Sequence, residues 1–246
     1  MIVGSKLFYY EELPSTNTHA SRLLDEKEQQ EGTVIYTDFQ SAGRGQTGNK
    51  WESGKGINLL FSIILYPDTI KPEDQFILSM GISLGICDFL DSNLEGATIK
   101  WPNDIYVRND KIAGILIENS IMGDTIESCV TGIGLNLNQV TFPSGIPNAV
   151  SLKIATGKDY VPDQCLKEVL SMLDHRYRQL LYGDRAIIRS EYVSRLYRLN
   201  EWHHFGLKGS VFSGRIKDVL PSGKLKIEKR SGKLSEFGFR EVEYIK

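Results

Sequence analysis

The chain has 246 residues and a mass of 27.7 kDa, enough for one large domain or for a medium domain with a small appendage. Hydrophobic residues make up 41% of it and charged residues 24%, and the formal net charge of −2 gives no support to a nucleic-acid-binding protein, which usually carries a basic excess. We expect neither a signal peptide nor a membrane helix, and the three widely spaced cysteines predict reduced thiols in the cytoplasm rather than a zinc or redox site.

The first half of the chain predicts strands combined with two helices. The predicted strands lie at 7–13, 33–39, 57–65, 98–101, 104–107, 111–119 and 125–135. Ser15 can cap a helix that runs to about residue 28, and apolar residues at helical spacing predict a second helix at 74–94. The Asn109-Asp110 pair predicts a hairpin turn. Between two of the strands, residues 40–56 form a long glycine-rich loop, and such loops are uncommon unless they have a function.

The second half predicts three helices followed by a small all-β region. The helices lie at 151–156, 162–182 and 184–198. Five short strands then alternate with glycine turns, at 208–212, 214–220, 225–228, 233–239 and 242–245. Such closely spaced short strands are typical of a small barrel. The predicted fold class is therefore α+β, with a mixed β-sheet flanked by helices at 1–200 and a small C-terminal β-barrel at 205–246.

The glycine-rich loop matches two nucleotide-binding patterns, and the context favours neither. Gly43, Gly45 and Gly48 have the spacing of the dinucleotide fingerprint and follow a strand, but that fingerprint must open a helix. Here the chain continues with further glycines instead of a helix. A phosphate-binding P-loop needs a lysine after its last glycine, whereas Gly48 is followed by Asn49.

A third pattern, G-x-S-x-G at residues 81–85, matches the nucleophile elbow of serine hydrolases. An elbow lies on a sharp turn from strand to helix, whereas Ser83 lies in the middle of a helical apolar pattern. The two glycines are instead predicted to allow close helix packing. Asp104 and His175 stand in the right chain order for a triad, but nothing in the sequence brings them together.

Four polar segments remain, and each has an ordinary structural interpretation when taken alone: a helix cap, a flexible connection, a plain turn and a bulged strand. Together they read S-T-N at 15–17, G-R-G-Q-T-G-N-K-W at 43–51, K-W-P-N-D at 100–104 with K-I-A-G-I-L-I-E at 111–118, and G-I-G-L-N-L-N at 132–138. In this order they closely resemble the biotin–protein ligase family. The predicted C-terminal barrel extends the resemblance to the whole chain.

The resemblance implies a fold, a reaction and its substrates. The fold is a class II synthetase-like catalytic domain with a small SH3-like C-terminal barrel. In the implied reaction, biotin and ATP give biotinyl-AMP and pyrophosphate, and a lysine of a biotin carboxyl carrier domain then takes the biotin while AMP leaves. The carrier is expected to belong to a biotin-dependent carboxylase or decarboxylase. ATP chemistry implies Mg²⁺, for which no protein ligand is assigned.

The resemblance also implies roles for individual residues, with Lys100 and Arg44 as the catalytic pair. Lys100 is expected between the carboxylate and the α-phosphate, and Arg44 on phosphate. Biotin binding is implied for Ser15, Thr16, Asn17, Gln40, Gly43, Arg44, Gly45, Gln46, Lys100, Gly114, Gly132 and Gly134. The implied ATP-binding residues are Arg44, Lys50, Trp51, Lys100 and Asn136. The three glycines after residue 100 are expected to leave room for the bicyclic ring of biotin.

The chain departs from the family pattern at two loop positions. Gln46 and Asn49 stand where many members have arginine, so the loop brings fewer cations to the intermediate. Because Ser15 already belongs to the catalytic domain, we expect a short form without the N-terminal DNA-binding helices of some relatives, and hence no nucleic-acid partner. A homodimer is left open by the resemblance, since some members pair through a sheet edge.

Two other functions stay open at this point. A lipoate–protein ligase uses the same two-step logic, but a different loop and lysine motif would be expected. A non-catalytic biotin sensor would retain the pocket without turnover, and the presence of both Lys100 and Arg44 argues against it.

Overall fold

Seven strands form a mixed sheet at the centre of the protein, seen in a computed structural model that describes residues 1–144 and 148–245. In chain order they are β1 (Lys6–Leu13), β2 (Thr33–Gln40), β3 (Leu59–Leu65), β4 (Ala97–Lys100), β5 (Asp104–Val107), β6 (Asp110–Met122) and β7 (Thr125–Leu135). Across the sheet the order is β1-β2-β3-β7-β6-β5-β4. Only β1 and β2 run parallel, and the other neighbours are antiparallel. The predicted mixed sheet is confirmed.

Helices cover both faces of this sheet. They are α1 (Thr16–Glu26), α2 (Phe76–Asp91), α3 (Leu152–Thr156), α4 (Pro162–Tyr182) and α5 (Arg185–Ser194). Side chains alternate between the two faces of a strand, so Val34 and Ile63 belong to the large core while their neighbours Ile35 and Ile64 belong to a small cluster under α1. Helix α2 lies on the large-core side, between the sheet and the helices α4 and α5.

Helix α2 is buried on nearly every side, and its two glycines explain how its neighbour approaches so closely. A Cβ atom on Gly81 would lie 2.5 Å from Leu180 Cδ1, and one on Gly85 would lie 3.2 Å from the Cα atom of Leu173. The predicted packing role of the glycines is confirmed. Ser83 lies fully buried within the same helix, so it is not on the strand-to-helix turn that a nucleophile elbow requires.

The C-terminal region forms a second, antiparallel sheet of five strands. They are β8 (Trp202–Leu207), β9 (Ser210–Val219), β10 (Leu225–Lys229), β11 (Leu234–Phe237) and β12 (Glu243–Tyr244), in the order β11-β10-β9-β8-β12. Within residues 202–245 the edge strands β11 and β12 do not pair, so the sheet is open and not a closed barrel. Residue 246, the end of the predicted barrel, lies outside the described residues. The division into domains stays a prediction, and the side chains of both sheets share one hydrophobic core.

Two predicted strands of this region were wrong. Residues 210–219 form the single strand β9 where two strands were predicted, at 208–212 and 214–220, and β8 was missed. Lys208 and Gly209 have φ values of 48° and 79°, so they form a tight hairpin turn in front of β9. The pair His203-His204 hides the apolar alternation of β8 in the sequence.

Smaller differences lie at two element ends. The hairpin turn between β5 and β6 is at 108–109, where Arg108 has a φ of 56°, and not at 109–110. Helix α5 ends at Ser194 and not at 198. The chain after it pairs with the edge strand β4, because Ile99 N–H donates to Arg195 O at 2.8 Å and Tyr197 N–H donates to Ile99 O at 2.8 Å. These backbone bonds are tertiary and leave no local pattern.

The three cysteines, Cys87, Cys129 and Cys165, are free and buried. Burial raises the pKa of the Cys87 and Cys129 thiols to about 12 and that of Cys165 to about 11. They are therefore protonated at neutral pH and behave as small apolar side chains, as predicted. None of the helices in the described part of the chain is long and apolar enough to cross a membrane.

We expect Arg176→Met to destabilise the fold by about 3 kcal/mol. The substitution removes the positive charge that lies between two carboxylates on neighbouring helices, and it leaves these carboxylates without their partner. Arg176 Nε lies 2.6 Å from Asp88 Oδ2, its Nη1 lies 2.5 Å from Glu191 Oε2, and its side chain is 10% exposed. Urea unfolding measures the loss. Arg178→Ala, in an exposed ion pair with Asp174 on the same helix, is the control and should cost about 0.5 kcal/mol. Equal losses would contradict the prediction.

Candidate functional site

The sheet face that carries α1 is only partly covered by that helix. Helix α1 contributes Ala20 to a small cluster in which it packs on Leu13, Ile35, Ile64 and Val130. Further along β7, residues 132 and 134 share the face of Val130, because side chains alternate along a strand. Both are glycines, so the strand itself contributes no side chains above this part of the sheet. A cavity of about 700 Å³, including its open mouth, lies there.

Strand register places residues of three motifs, K-W-P-N-D, K-I-A-G-I-L-I-E and G-I-G-L-N-L-N, on one row of this face. Lys100 pairs with Asp104, Asp104 with Gly114, and Gly114 with Gly134. Partners in register point to the same side of a sheet. The two glycines therefore form a flat floor, and charged side chains begin at its edge. This arrangement joins motifs that lie about thirty residues apart in the sequence.

Most of the predicted site residues line this cavity. They are Ser15, Thr16, Asn17, Gln40, Arg44, Gly45, Gln46, Lys50, Trp51, Gly114, Gly132 and Gly134. Three predicted residues, Gly43, Lys100 and Asn136, are not among its lining. The cavity is also lined by residues that had not been assigned a role, namely Asn49, Asn103, Asp104, Lys111, Ile115, Leu116 and Ile133.

A network of neutral polar groups lies at the α1 end of the cavity. Gln40 Oε1 accepts from the N–H of Thr16 at 2.8 Å, and the Asn17 side-chain amide donates to Leu116 O at 3.2 Å. Ser62 Oγ lies 2.7 Å from Thr16 Oγ1 and 2.6 Å from Asn17 Oδ1. Ser62 was missed, although a lone serine inside the apolar run of β3 is a visible signal. These buried groups are held in fixed positions.

The glycines of the floor make room for protein side chains in this structure. A Cβ on Gly132 would lie 2.0 Å from Asn17 Oδ1, and a Cβ on Gly134 would lie 2.3 Å from Trp51 Cε2. A Cβ on Gly114 would lie 2.9 Å from Trp51 Cζ3. Trp51 therefore rests on the bare backbone of β6 and β7. In this structure, Asn17 and Trp51 occupy the space above the glycines that was expected for the ring of the ligand.

The glycine-rich loop is a short hairpin, and its arginine is bound to β6. Arg44 and Lys50 form an antiparallel bridge, and Trp51 N–H donates to Gly43 O at 3.0 Å. Arg44 Nη2 lies 2.5 Å from Glu118 Oε1. Glu118 also accepts from the Asn17 amide at 2.9 Å, so it links the loop to the polar network. Glu118 was missed, although it ends the K-I-A-G-I-L-I-E segment.

Lys100 lies beside the cavity in an aromatic surrounding. Its ammonium donates to Tyr106 Oη at 3.0 Å and lies 4.9 Å and 5.0 Å from the ring centroids of Tyr106 and Tyr244. Burial raises the pKa of both tyrosines, so their hydroxyls are neutral. Such cation–π contacts favour the charged ammonium. Tyr244 belongs to β12, so the C-terminal sheet contributes to the surroundings of Lys100.

Asn136 directly follows the end of β7, two residues after Gly134. Its side-chain amide donates to Val150 O at 3.0 Å, and its side chain is almost fully buried. Its carbonyl oxygen Oδ1 has no hydrogen-bond partner among the described residues. An unpaired buried acceptor is costly, and it suits a ligand that brings a donor. Within 1–144 and 148–245 no group of three or more His, Cys, Asp or Glu side chains could hold a metal ion.

Comparisons with known proteins place this sequence and fold in one class of protein. Residues 9–136 match the model of the biotin/lipoate A/B protein ligase family, and this match covers more than half of the chain. The chain belongs to that family. It is 32% identical over 237 residues to the bifunctional ligase/repressor BirA of Bacillus subtilis (strain 168), covering 94% of this chain and 72% of that protein.

Two further relatives agree with this. The biotin–[acetyl-CoA-carboxylase] ligase of Paracoccus denitrificans is 29% identical over 177 residues, which cover 66% of this chain and 70% of that protein. The biotin protein ligase of Aquifex aeolicus, solved in complex with biotin and ATP, superimposes with a TM-score of 0.82 at 26% identity and covers 98% of this chain and 100% of that chain.

We expect Glu118→Gln to loosen the glycine-rich loop, because the charged partner of Arg44 is lost while the side-chain shape stays. The pair is partly exposed, so protection of the loop amides of Gly45 and Trp51 should fall by up to about fivefold. Hydrogen exchange measures this. Glu127→Gln, on the neighbouring strand, is the control and should leave the loop unchanged. Unaltered exchange in Glu118→Gln would show that the ion pair does not hold the loop.

Proposed function

We propose that this member of the family is an ATP-dependent biotin–protein ligase, which forms biotinyl-AMP and transfers biotin to a lysine of a carrier domain. The observation that carries the proposal is the order of groups along one cavity. Neutral hydroxyl and amide groups, the glycine floor and cationic side chains line it, and the unpaired acceptor of Asn136 lies just beyond the lining, two residues after Gly134. The neutral groups match the ureido ring of biotin, the cations match the place where the biotin carboxylate meets the α-phosphate of ATP, and the acceptor matches the edge of adenine.

Biotin recognition is assigned to the network at the start of α1. The ureido ring is neutral and has both donors and acceptors, so it suits hydroxyl and amide partners. Thr16, Asn17 and Gln40 supply these, and Ser62 holds two of them in place. Because the groups are already fixed by one another, little entropy is lost when the ligand binds.

The first step needs fixed positive charge. A biotin carboxylate oxygen forms a bond to the α-phosphorus as the bond to the bridging oxygen breaks, and pyrophosphate leaves with that electron pair. Two anions must approach, and preorganised cations and donors lower this barrier. Lys100 is proposed to act between carboxylate and phosphate. Arg44 is proposed to exchange Glu118 for a phosphate oxygen, for which its planar fork is suited.

The nucleotide is assigned to the end of the cavity near Asn136. The unpaired Oδ1 of Asn136 can accept from the amino group of adenine. Trp51 provides a flat apolar surface, and Lys50 lies in the adjoining loop. Mg²⁺ is proposed to enter with ATP. Phosphate and water are proposed as its main ligands, and no step is assigned to a protein-bound metal.

In the second step the amine of a carrier lysine attacks the carbonyl carbon of the mixed anhydride, and AMP leaves. The proposed partner is therefore a biotin carboxyl carrier domain of a carboxylase or decarboxylase, and the proposed compartment is the cytoplasm, in keeping with the free cysteines. The homodimer and the absence of nucleic-acid and membrane partners stay predictions.

One assay tests the function. Purified protein is incubated with ATP, Mg²⁺, a carrier domain and either biotin or lipoate, and both pyrophosphate release and carrier modification are measured. Biotin-dependent release followed by biotin on the carrier supports the proposal. Turnover with lipoate alone would assign the other branch of the family. Biotin binding without pyrophosphate release would indicate a sensor and would overturn the proposal.

We expect Lys100→Ala to reduce biotin-dependent pyrophosphate exchange by about 100-fold or more, because one fixed cation is lost from the transition state. The fold should persist, since the lysine contacts the tyrosines from a partly exposed position. Circular dichroism checks the fold. Exchange close to that of the wild type would remove Lys100 from the catalytic residues.

We expect Gly132→Ala to weaken biotin binding by about tenfold or more, because the new methyl group displaces Asn17 from the network. Isothermal titration with biotin measures the affinity. Gly238→Ala is the matched control, since its Cβ would meet no atom closer than 3.5 Å. Equal affinities in the two variants would separate Asn17 from biotin recognition.

A further inference from the structure

A second cavity lies at the junction of α2, α5 and the C-terminal sheet. Its volume is about 570 Å³, including its open mouth. Its walls come from the short 3₁₀ turn Pro72–Asp74 in front of α2, from α2 and α5 themselves, and from the turn between β9 and β10. Of the described residues that line it, none lines the first cavity. Cavities of this size hold small molecules.

Part of this second cavity is apolar. Ile77 and Met80 lie three residues apart on α2, so they share one face of that helix. Met80 is almost fully buried and Ile77 is half-buried. Pro221 adds an exposed apolar surface from the turn between β9 and β10. These residues offer a surface for an aliphatic group of a ligand.

Two arginines form the polar part of the wall, and the protein holds both in place. Arg185 and Arg189 lie four residues apart on α5 and are therefore neighbours on its surface. Arg185 Nε donates to Leu180 O at 2.9 Å, and its Nη2 donates to Thr69 O at 3.0 Å. Arg189 Nη2 donates to both carboxylate oxygens of Asp218, at 2.6 and 2.7 Å.

Both guanidinium groups keep donors that the protein does not use. Within residues 1–144 and 148–245, the side-chain bonds of Arg185 come from Nε and Nη2, and those of Arg189 come from Nη2 alone. The Nη1 amino group of each is left without a protein acceptor, and so is the buried Nε of Arg189. A planar guanidinium that is already fixed in place is well suited to bind a carboxylate.

The charges around this cavity are not balanced by neighbouring side chains. Arg189 is paired with Asp218, whereas Arg185 bonds only to neutral oxygens. Asp74 lines the same cavity and has no ion-pair partner in the described part of the chain. One cation and one anion therefore face the cavity from different elements without contacting each other. A ligand that carries both charges would satisfy both residues.

We propose that the second cavity binds a small zwitterion with an apolar body, namely an α-amino acid with an aliphatic side chain. Its carboxylate accepts hydrogen bonds from the Nη1 groups of Arg185 and Arg189. Its ammonium donates to Asp74, and its side chain packs on Ile77 and Met80. No bond is made or broken. This inference does not depend on the proposed function, because the two cavities share no lining residue.

The test is isothermal titration of the full chain with L-leucine. Two analogues keep the branched body with one charge each: 4-methylpentanoate lacks the ammonium and 3-methylbutylamine lacks the carboxylate. We expect L-leucine to bind at one site per chain, and each analogue to bind at least about tenfold more weakly, because one charge-assisted contact is lost.

Two substitutions locate the binding site. Asp74→Asn and Arg185→Gln should each weaken L-leucine binding by at least about tenfold. Asp74→Asn should not weaken the binding of 4-methylpentanoate, which has no ammonium for the carboxylate to hold. The matched controls are Asp124→Asn and Arg22→Gln, which change exposed residues outside the cavity lining and should leave the affinity unaltered.

Three results would overturn the inference. They are the absence of L-leucine binding at about 10 mM, equal affinity for L-leucine and 4-methylpentanoate, and unchanged L-leucine affinity in both cavity variants. Circular dichroism checks the fold of each variant. If Arg185→Gln does not fold, Asp74→Asn and the two analogues decide. Biotin-dependent pyrophosphate release is measured separately, so its absence would overturn the proposed function and leave this inference standing.

Discussion

The close contact between bare backbone and side chains at the centre of the sheet is the constraint on which the site depends. A sheet normally fills the space above it with its own side chains. At Gly114, Gly132 and Gly134 that layer is absent, so the polar start of α1 and the indole of Trp51 descend to the backbone itself. Any Cβ atom here would displace one of them. The glycines are therefore required by packing as well as by the proposed ligand.

Three cations in or beside the cavity have defined partners before any ligand binds. Arg44 is paired with Glu118, Lys111 with Asp104, and Lys100 contacts two tyrosines. These contacts reduce the cost of placing like charges together. They also hold the cations in fixed positions. In a partly water-excluded site, a fixed cation stabilises negative charge more strongly than a mobile cation does. The cations are therefore positioned before any ligand enters the cavity.

The C-terminal sheet is coupled to the site through two aromatic residues. Trp101 is buried, and its indole N–H donates to Gly223 O in the turn between β9 and β10 at 2.8 Å. Tyr244 of β12 faces Lys100. Both contacts reach the K-W-P-N-D segment, one at its tryptophan and one at its lysine. The second sheet thus braces the segment that carries the proposed catalytic lysine, and the two sheets also share one hydrophobic core.

The sequence alone determined the family, the mixed sheet with its flanking helices, and most of the cavity lining, because motifs and local periodicity carry that information. The bounds of α4 and β7 could be read from residue patterns within each element. Only the tertiary structure decided what the motifs do together. The bulge that turns Lys111 into the cavity, the pairing of Arg44 with Glu118, and the contact of Tyr244 with Lys100 all join residues distant in sequence or depend on register. A one-residue shift in register reverses the face of a side chain, and no local pattern encodes it.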